Sequence, residues 1–202
     1  MIEPQGARPL RQCEHESILL HGLAGQIPTL KRWANWKVIT LLVVLFLVFD
    51  FFILPAMTSP DGKPLPVLDL KFWYTPQQAF DAISQYSPQE RQASVVAHLT
   101  VDVIYPLVYG LLLSLLLIVV FRNASPAQQH QLPLLPWRAV FADYLENIGL
   151  VAMFLLYPSQ FALLSWVTTI FTALKWVQIG FSILVLIVGL LLLALGRWKR
   201  RV

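Results

Sequence analysis

Asp50, Asp102, Asp143 and Glu146 interrupt stretches that are otherwise apolar enough to sit in lipid. A carboxylate facing lipid near the bilayer centre costs about 2.5–3.5 kcal/mol on insertion scales, so such groups usually turn toward a bundle interior or a wet cavity. Their neighbours keep helical spacing. Arg91, His98, Asp102, Tyr105 and Tyr109 recur at steps of three, four or seven and form one stripe. In "DYLEN", Asp143, Glu146 and Asn147 share a face. Thr168, Thr172, Lys175, Gln178 and Ser182 mark a third polar face. Two carboxylates this close do not both ionise comfortably in a low dielectric unless a cation intervenes. One then holds a proton, which suits general acid–base work. Asp102, Asp143 and Glu146 are therefore the candidate catalytic residues. Asp50, His98, Tyr105, Tyr109, Asn147 and Lys175 are the candidate ligand-binding ones. The four histidines show no metal-ligand spacing, and neither a metal nor a cofactor is expected.

Pro106 sharpens the reading. It cannot donate to the carbonyl of residue i−4, which is Asp102 itself. One turn thus offers a carboxylate and a vacated backbone carbonyl, a notch for water, a cation or a donor side chain. Counting residues from the basic flanks at 1.5 Å each places Asp102 about 30 Å from Arg122. That predicts an outer tier of Asp50, His98, Asp102 and Lys175 and a central tier of Asp143, Glu146 and Asn147. Plainer readings stand beside these. Asp102 and His98 can form an interfacial stripe that meets water. Asp143 and Glu146 can fix helix packing through hydrogen bonds. Asp50 can be the structural partner of Lys175.

The elements that must carry these residues are membrane helices. The 202 residues are 57% hydrophobic and only 13% charged, against about 25% charged in a soluble domain. The fold class expected is all-α: a polytopic four-helix transmembrane bundle with a small helical outer cap. Spans are expected at about 38–57, 97–121, 138–157 and 165–196, with the cap at 58–95. A cytoplasmic N-terminal segment covers 1–36 and a basic tail 198–202. No apolar segment follows a basic start in the manner of a cleavable signal peptide, so the first span is expected to serve as the insertion signal. The single Cys13 excludes an internal disulfide framework.

Orientation follows from the basic residues. Arg8, Arg11, Lys31, Arg32 and Lys37 precede span one, Arg122 and Arg138 bracket the second loop, and Arg197, Lys199, Arg200 and Arg201 close the chain. All fall on one side, which marks both termini as cytoplasmic, at the inner membrane if the source is bacterial. The pI of about 9.4 reflects these anchors and implies no nucleic acid. In the outer connection, Thr75-Pro76 with Gln78 and Ser87-Pro88 with Glu90 each predict a capped helix start. The second helix, from Pro88 to near Phe121, must project beyond the bilayer. Residues 161–175 read as an outer extension of span four, with a re-entrant segment as the rival.

"DVIYPLVYGLL", "DYLENIGL" and "FTALKW" together resemble a set of bacterial four-span membrane proteins with no assigned activity. A more distant likeness is to the EXPERA group of sterol isomerases and sigma-2-like receptors. It rests on "VFDFFILP", on the Trp-bearing loop "KFWYTP" and on Asp102, while "DYLEN" departs from that group's pattern. The likeness implies a lipophilic ligand. Three functions stay open. The favoured one binds a small lipophilic or cationic molecule in an acidic intramembrane pocket, with proton-shuffling isomerisation as its enzymatic form. The second is a proton-coupled transporter using both acidic tiers as a relay, and the third a structural or assembly subunit without catalysis. Membrane lipids are the expected partners.

Overall fold

A computed structural model describes residues 27–58, 64–159 and 162–196. Cys13, most of the expected N-terminal segment and the basic tail lie outside the described residues. Among the described residues every regular element is helical. A short α1 (Ile27–Trp33) leads into α2 (Trp36–Val48), capped by Asn35, whose side chain accepts from the Val38 N–H at 3.1 Å. The same rod continues through one π-helical turn, Phe49–Ile53, into α3 (Leu54–Thr58). The cap helix α4 (Pro76–Ser84) precedes the long α5 (Pro88–Val120). After a connection holding α6 (Pro126–Gln131), α7 (Leu135–Leu156) returns, and α8 (Ala162–Ala194) closes the bundle.

Four of these rods are long and apolar enough to cross a membrane: Trp36–Met57, Pro88–Val120, Pro126–Leu156 and Ala162–Ala194. The protein is an all-α, multi-pass membrane bundle. The expected cap starts hold atom for atom. Thr75 and Ser87 each accept from the N–H three residues on, and Gln78 and Glu90 each reach back to the cap N–H. The unbroken α8 disposes of the re-entrant rival for 161–175.

Packing is uneven, and the unevenness positions the site. Helices α5, α7 and α8 touch one another, whereas α2 leans chiefly on α5. Leu42 of α2 and Phe49 of the π-helical turn meet Val108, Leu112, Leu115 and Ile118 of α5. The α7–α8 seam is close because Gly149 has no side chain: a Cβ there would stand 2.1 Å from Thr168 Oγ1. Small residues permit such approach where dispersion, rather than water exclusion, draws helices together. Outward faces are apolar, as lipid requires, with Phe51 and Phe52 on the π-helical turn and Leu163, Leu184 and Leu191 on α8.

The loop 64–75 lies over one end of α8. Tyr74 N–H donates to Thr169 Oγ1 at 3.0 Å, and Trp176 Nε1 donates to the Asp69 carbonyl at 3.1 Å. Tyr74 is fully buried there, and burial is the main cause that raises its phenol above the ordinary value. At the opposite end Lys31 of α1 reaches Gln129 of α6, so the N-terminal segment and the α5–α7 connection share a side.

Candidate functional site

The polar stripe of α5 divides at Pro106. Above it, His98 Nδ1 lies 2.7 Å from Asp102 Oδ2 and 3.1 Å from Asn147 Oδ1. Two acceptors on one ring nitrogen place the hydrogen on Nδ1, shared between them. Asn147 of α7 then spends both its donors. One reaches the Asp102 carbonyl at 3.2 Å, and the other Asp143 Oδ1 at 3.1 Å. The carbonyl vacated by Pro106 is thus taken by a donor side chain, one of the three occupants its geometry allowed. Tyr144 adds a second tie, donating to the Val103 carbonyl at 2.9 Å. Below the proline, Tyr109 donates to Asp143 Oδ2 at 2.9 Å. His98, Asp102, Asn147, Asp143 and Tyr109 therefore form one connected string across the α5–α7 seam.

The α7–α8 seam holds a separate group. Glu146, with no exposed surface, pairs with Lys175 Nζ at 2.5 Å and accepts from Thr172 Oγ1 at 2.7 Å. The Thr172 hydroxyl also lies 3.1 Å from the Thr168 carbonyl. On the other flank, Tyr105 donates to Asp50 Oδ1 at 2.8 Å. Asp50 sits on the π-helical turn, where the ring of Tyr105 also lies 5.5 Å from that of Phe49.

Three expectations need correction. Asp50 does not pair with Lys175. The two lie on opposite flanks, because α2 leans on α5 while Lys175 faces α7. The outer and central tiers are not separate levels: Asn147 bridges to His98 and Asp102, and Lys175 reaches Glu146. The acids also do not all share the cavity that Asp102 lines. A cavity of about 360 Å³ touches Asp102 and His98, but its lining includes none of Asp143, Glu146 or Lys175.

That cavity lies between the end of the first spanning helix, the cap and the upper part of α5. Leu54, Ala56 and Met57 form one wall, Leu65 and Val67 another, and Ala93 and Ala97 a third. Its polar lining is Asp69, Tyr86, Gln89, Glu90, Ser94, His98 and Asp102. Asp69 was not singled out from the sequence, because it stands in a loop with no periodicity to flag it. Its Oδ1 is buried and has no hydrogen-bond partner among the described residues. Tyr86 donates to the Pro66 carbonyl at 3.1 Å. Burial, reinforced by the charges of Asp69 and Glu90, pushes its phenol up to about 12. Tyr86 therefore stays a neutral donor at any physiological pH. Glu90 is engaged in the cap of α5, accepting from the Ser87 N–H at 2.6 Å. Among the described residues no cluster of His, Cys, Asp and Glu is arranged to hold a metal.

Comparison with known protein families, with curated proteins and with solved structures finds no match to the chain.

Proposed function

We propose that this protein binds a small lipophilic cation in the cavity beneath its cap, at the membrane boundary. The observation that carries the reading is Asp69 in the lining of a cavity walled by Leu54, Met57, Leu65 and Val67, with a buried Oδ1 that has no hydrogen-bond partner among the described residues. A buried carboxylate oxygen left unsatisfied is costly, and a protonated amine would satisfy it. Asp102 lies in the same lining and adds negative charge balanced in part by His98. The volume falls at the small end of ordinary ligand pockets, about 300–1,000 Å³. The cap would face outward and the basic end the cytoplasm, because positive residues cluster at the latter.

The enzymatic form, with Glu146 as proton carrier, has less support. Glu146 is sealed against Lys175 and Thr172 and lies outside the cavity lining. The pairing of Asp50, Asp102, Asp143 and Glu146 with neighbouring side chains favours a helix-locking role for these four acids, and that role is compatible with ligand binding under the cap.

The test compares dodecylamine, dodecanol and dodecanoate binding to the purified protein in one detergent. The amine is expected to bind tightest, and Asp69→Asn to weaken it about tenfold, the effect of losing some 1.4 kcal/mol. Equal amine affinity in wild type and variant, both melting at the same temperature, would reject the reading.

A further inference from the structure

The end opposite the cap carries a second cavity, of about 300 Å³, with the reverse electrostatics. Its polar lining is Lys31 from α1, Arg122 just past the end of α5, and Gln129 of α6. Gln129 is fixed in place: its Nε2 donates to the Arg122 and Ala124 carbonyls, each at 3.0 Å. That orients its Oε1 to accept from Lys31 Nζ at 3.1 Å. Among the described residues the ammonium keeps two of its three donors uncommitted. The Arg122 guanidinium has no hydrogen bond or ion pair among the described residues. No described Asp or Glu lies on α1, on α6 or in the C-terminal half of α5. Two cations therefore share one recess with no described carboxylate beside them to neutralise them.

The remaining wall is apolar and belongs to a spanning helix. Ala34, Ile118, Val119 and Phe121 line it, and Val119 is exposed to the lipid side. A free inorganic anion gains nothing from such a wall. A molecule with an anionic head and a hydrocarbon tail uses both halves: its oxyanion meets the Lys31 ammonium and the Arg122 fork, and its chain lies along Ile118 and Val119. We infer that this recess is a binding site for the phosphate headgroup of an acidic phospholipid. It is independent of the cavity under the cap and stands whether or not that cavity takes an amine.

The test is native mass spectrometry of the full-length protein, with phosphatidylglycerol, phosphatidylcholine and inorganic phosphate as probes. Phosphatidylglycerol is expected to bind in preference to phosphatidylcholine, and inorganic phosphate to bind weakly and not to displace it. The double variant Lys31→Gln with Arg122→Gln should lose about tenfold or more in phosphatidylglycerol affinity, since each cation near an anionic headgroup contributes appreciably. Arg138→Gln supplies the control, a charge removed at the same end but outside the recess. An equal loss in Arg138→Gln would mean diffuse attraction and overturn the site. Displacement by inorganic phosphate at matching concentration would overturn the lipid as its occupant. Thermal melting of each variant in detergent without added lipid separates lost binding from lost folding, and single Arg122→Gln serves if the double variant melts early.

Discussion

Asn147 is the residue on which most of the α5–α7 seam depends. It serves His98, Asp143 and the Asp102 carbonyl at once. Asn147→Leu should destabilise the protein by about 1–3 kcal/mol, because it strands a buried carbonyl and part of a carboxylate. Thermal unfolding in detergent reads this directly, and an unchanged midpoint would show that the string does not hold the seam. Glu146 and Lys175 behave as a pair. Either single variant, Glu146→Gln or Lys175→Met, should cost about 3–5 kcal/mol by leaving a buried partner uncompensated. The double Glu146→Leu with Lys175→Met should recover much of that loss, since apolar replacements of buried pairs are often tolerated. Double-mutant cycles on the same melts measure the difference. Much at this scale was legible in the sequence: spacing placed Asp143, Glu146 and Asn147 on one face, and Pro106 pointed to a carbonyl needing a donor. What spacing cannot supply is which neighbouring helix each face meets. That is why spacing leaves Asp50 open as a structural partner of Lys175 where the structure has Glu146, and why Asp69, outside any periodic segment, gives no signal.

At the scale of the helices, the α7–α8 approach is set by one absent side chain. Gly149→Ala brings a Cβ to 2.1 Å from Thr168 Oγ1, so Thr168 must turn or the helices must part. Overpacking of this kind typically costs about 1–3 kcal/mol. Gly180→Ala is the matching control, because nothing lies within 4 Å of the Cβ it would add. It should leave the melting temperature unchanged or slightly raised, as alanine favours helix over glycine. A Gly149→Ala protein as stable as Gly180→Ala would mean that Thr168 yields without strain. The helix starts were readable in advance because the capping box is a local device, complete within four residues. The π-helical turn at Phe49–Ile53 was not: it carries Phe49 and Asp50 against Tyr105, a long-range contact that local spacing does not reveal.

For the whole molecule, charge is sorted by end. Acidic Asp69, Asp81 and Glu90 lie with the cap, beside Lys71 and Arg91, whereas Lys31, Arg32, Lys37, Arg122 and Arg138 at the other end have no described Asp or Glu among them. Cysteine labelling with a membrane-impermeant reagent tests the orientation this implies. In a Cys13→Ser background, Ser84→Cys should react in intact cells, and Ala127→Cys only after permeabilisation. The reverse pattern would invert the topology. Span number and the basic flanks were plain in the sequence because composition alone decides them. The cavity under the cap was not, because it forms where three segments distant in sequence come together.

The order in which the helices reach the bilayer matters for the same reason that Glu146 is fully enclosed. Its ammonium partner stands on α8, which leaves the ribosome after α5 and α7. Until then α7 carries Asp143, Glu146 and Asn147 with only α5 to receive them. A nascent chain halted before residue 162 would hold an orphan acid against lipid, and it is expected to be handed to quality control while the full-length protein persists. Pulse-chase half-lives of the two products give the comparison, and equal survival would mean that α5 alone shelters the acid.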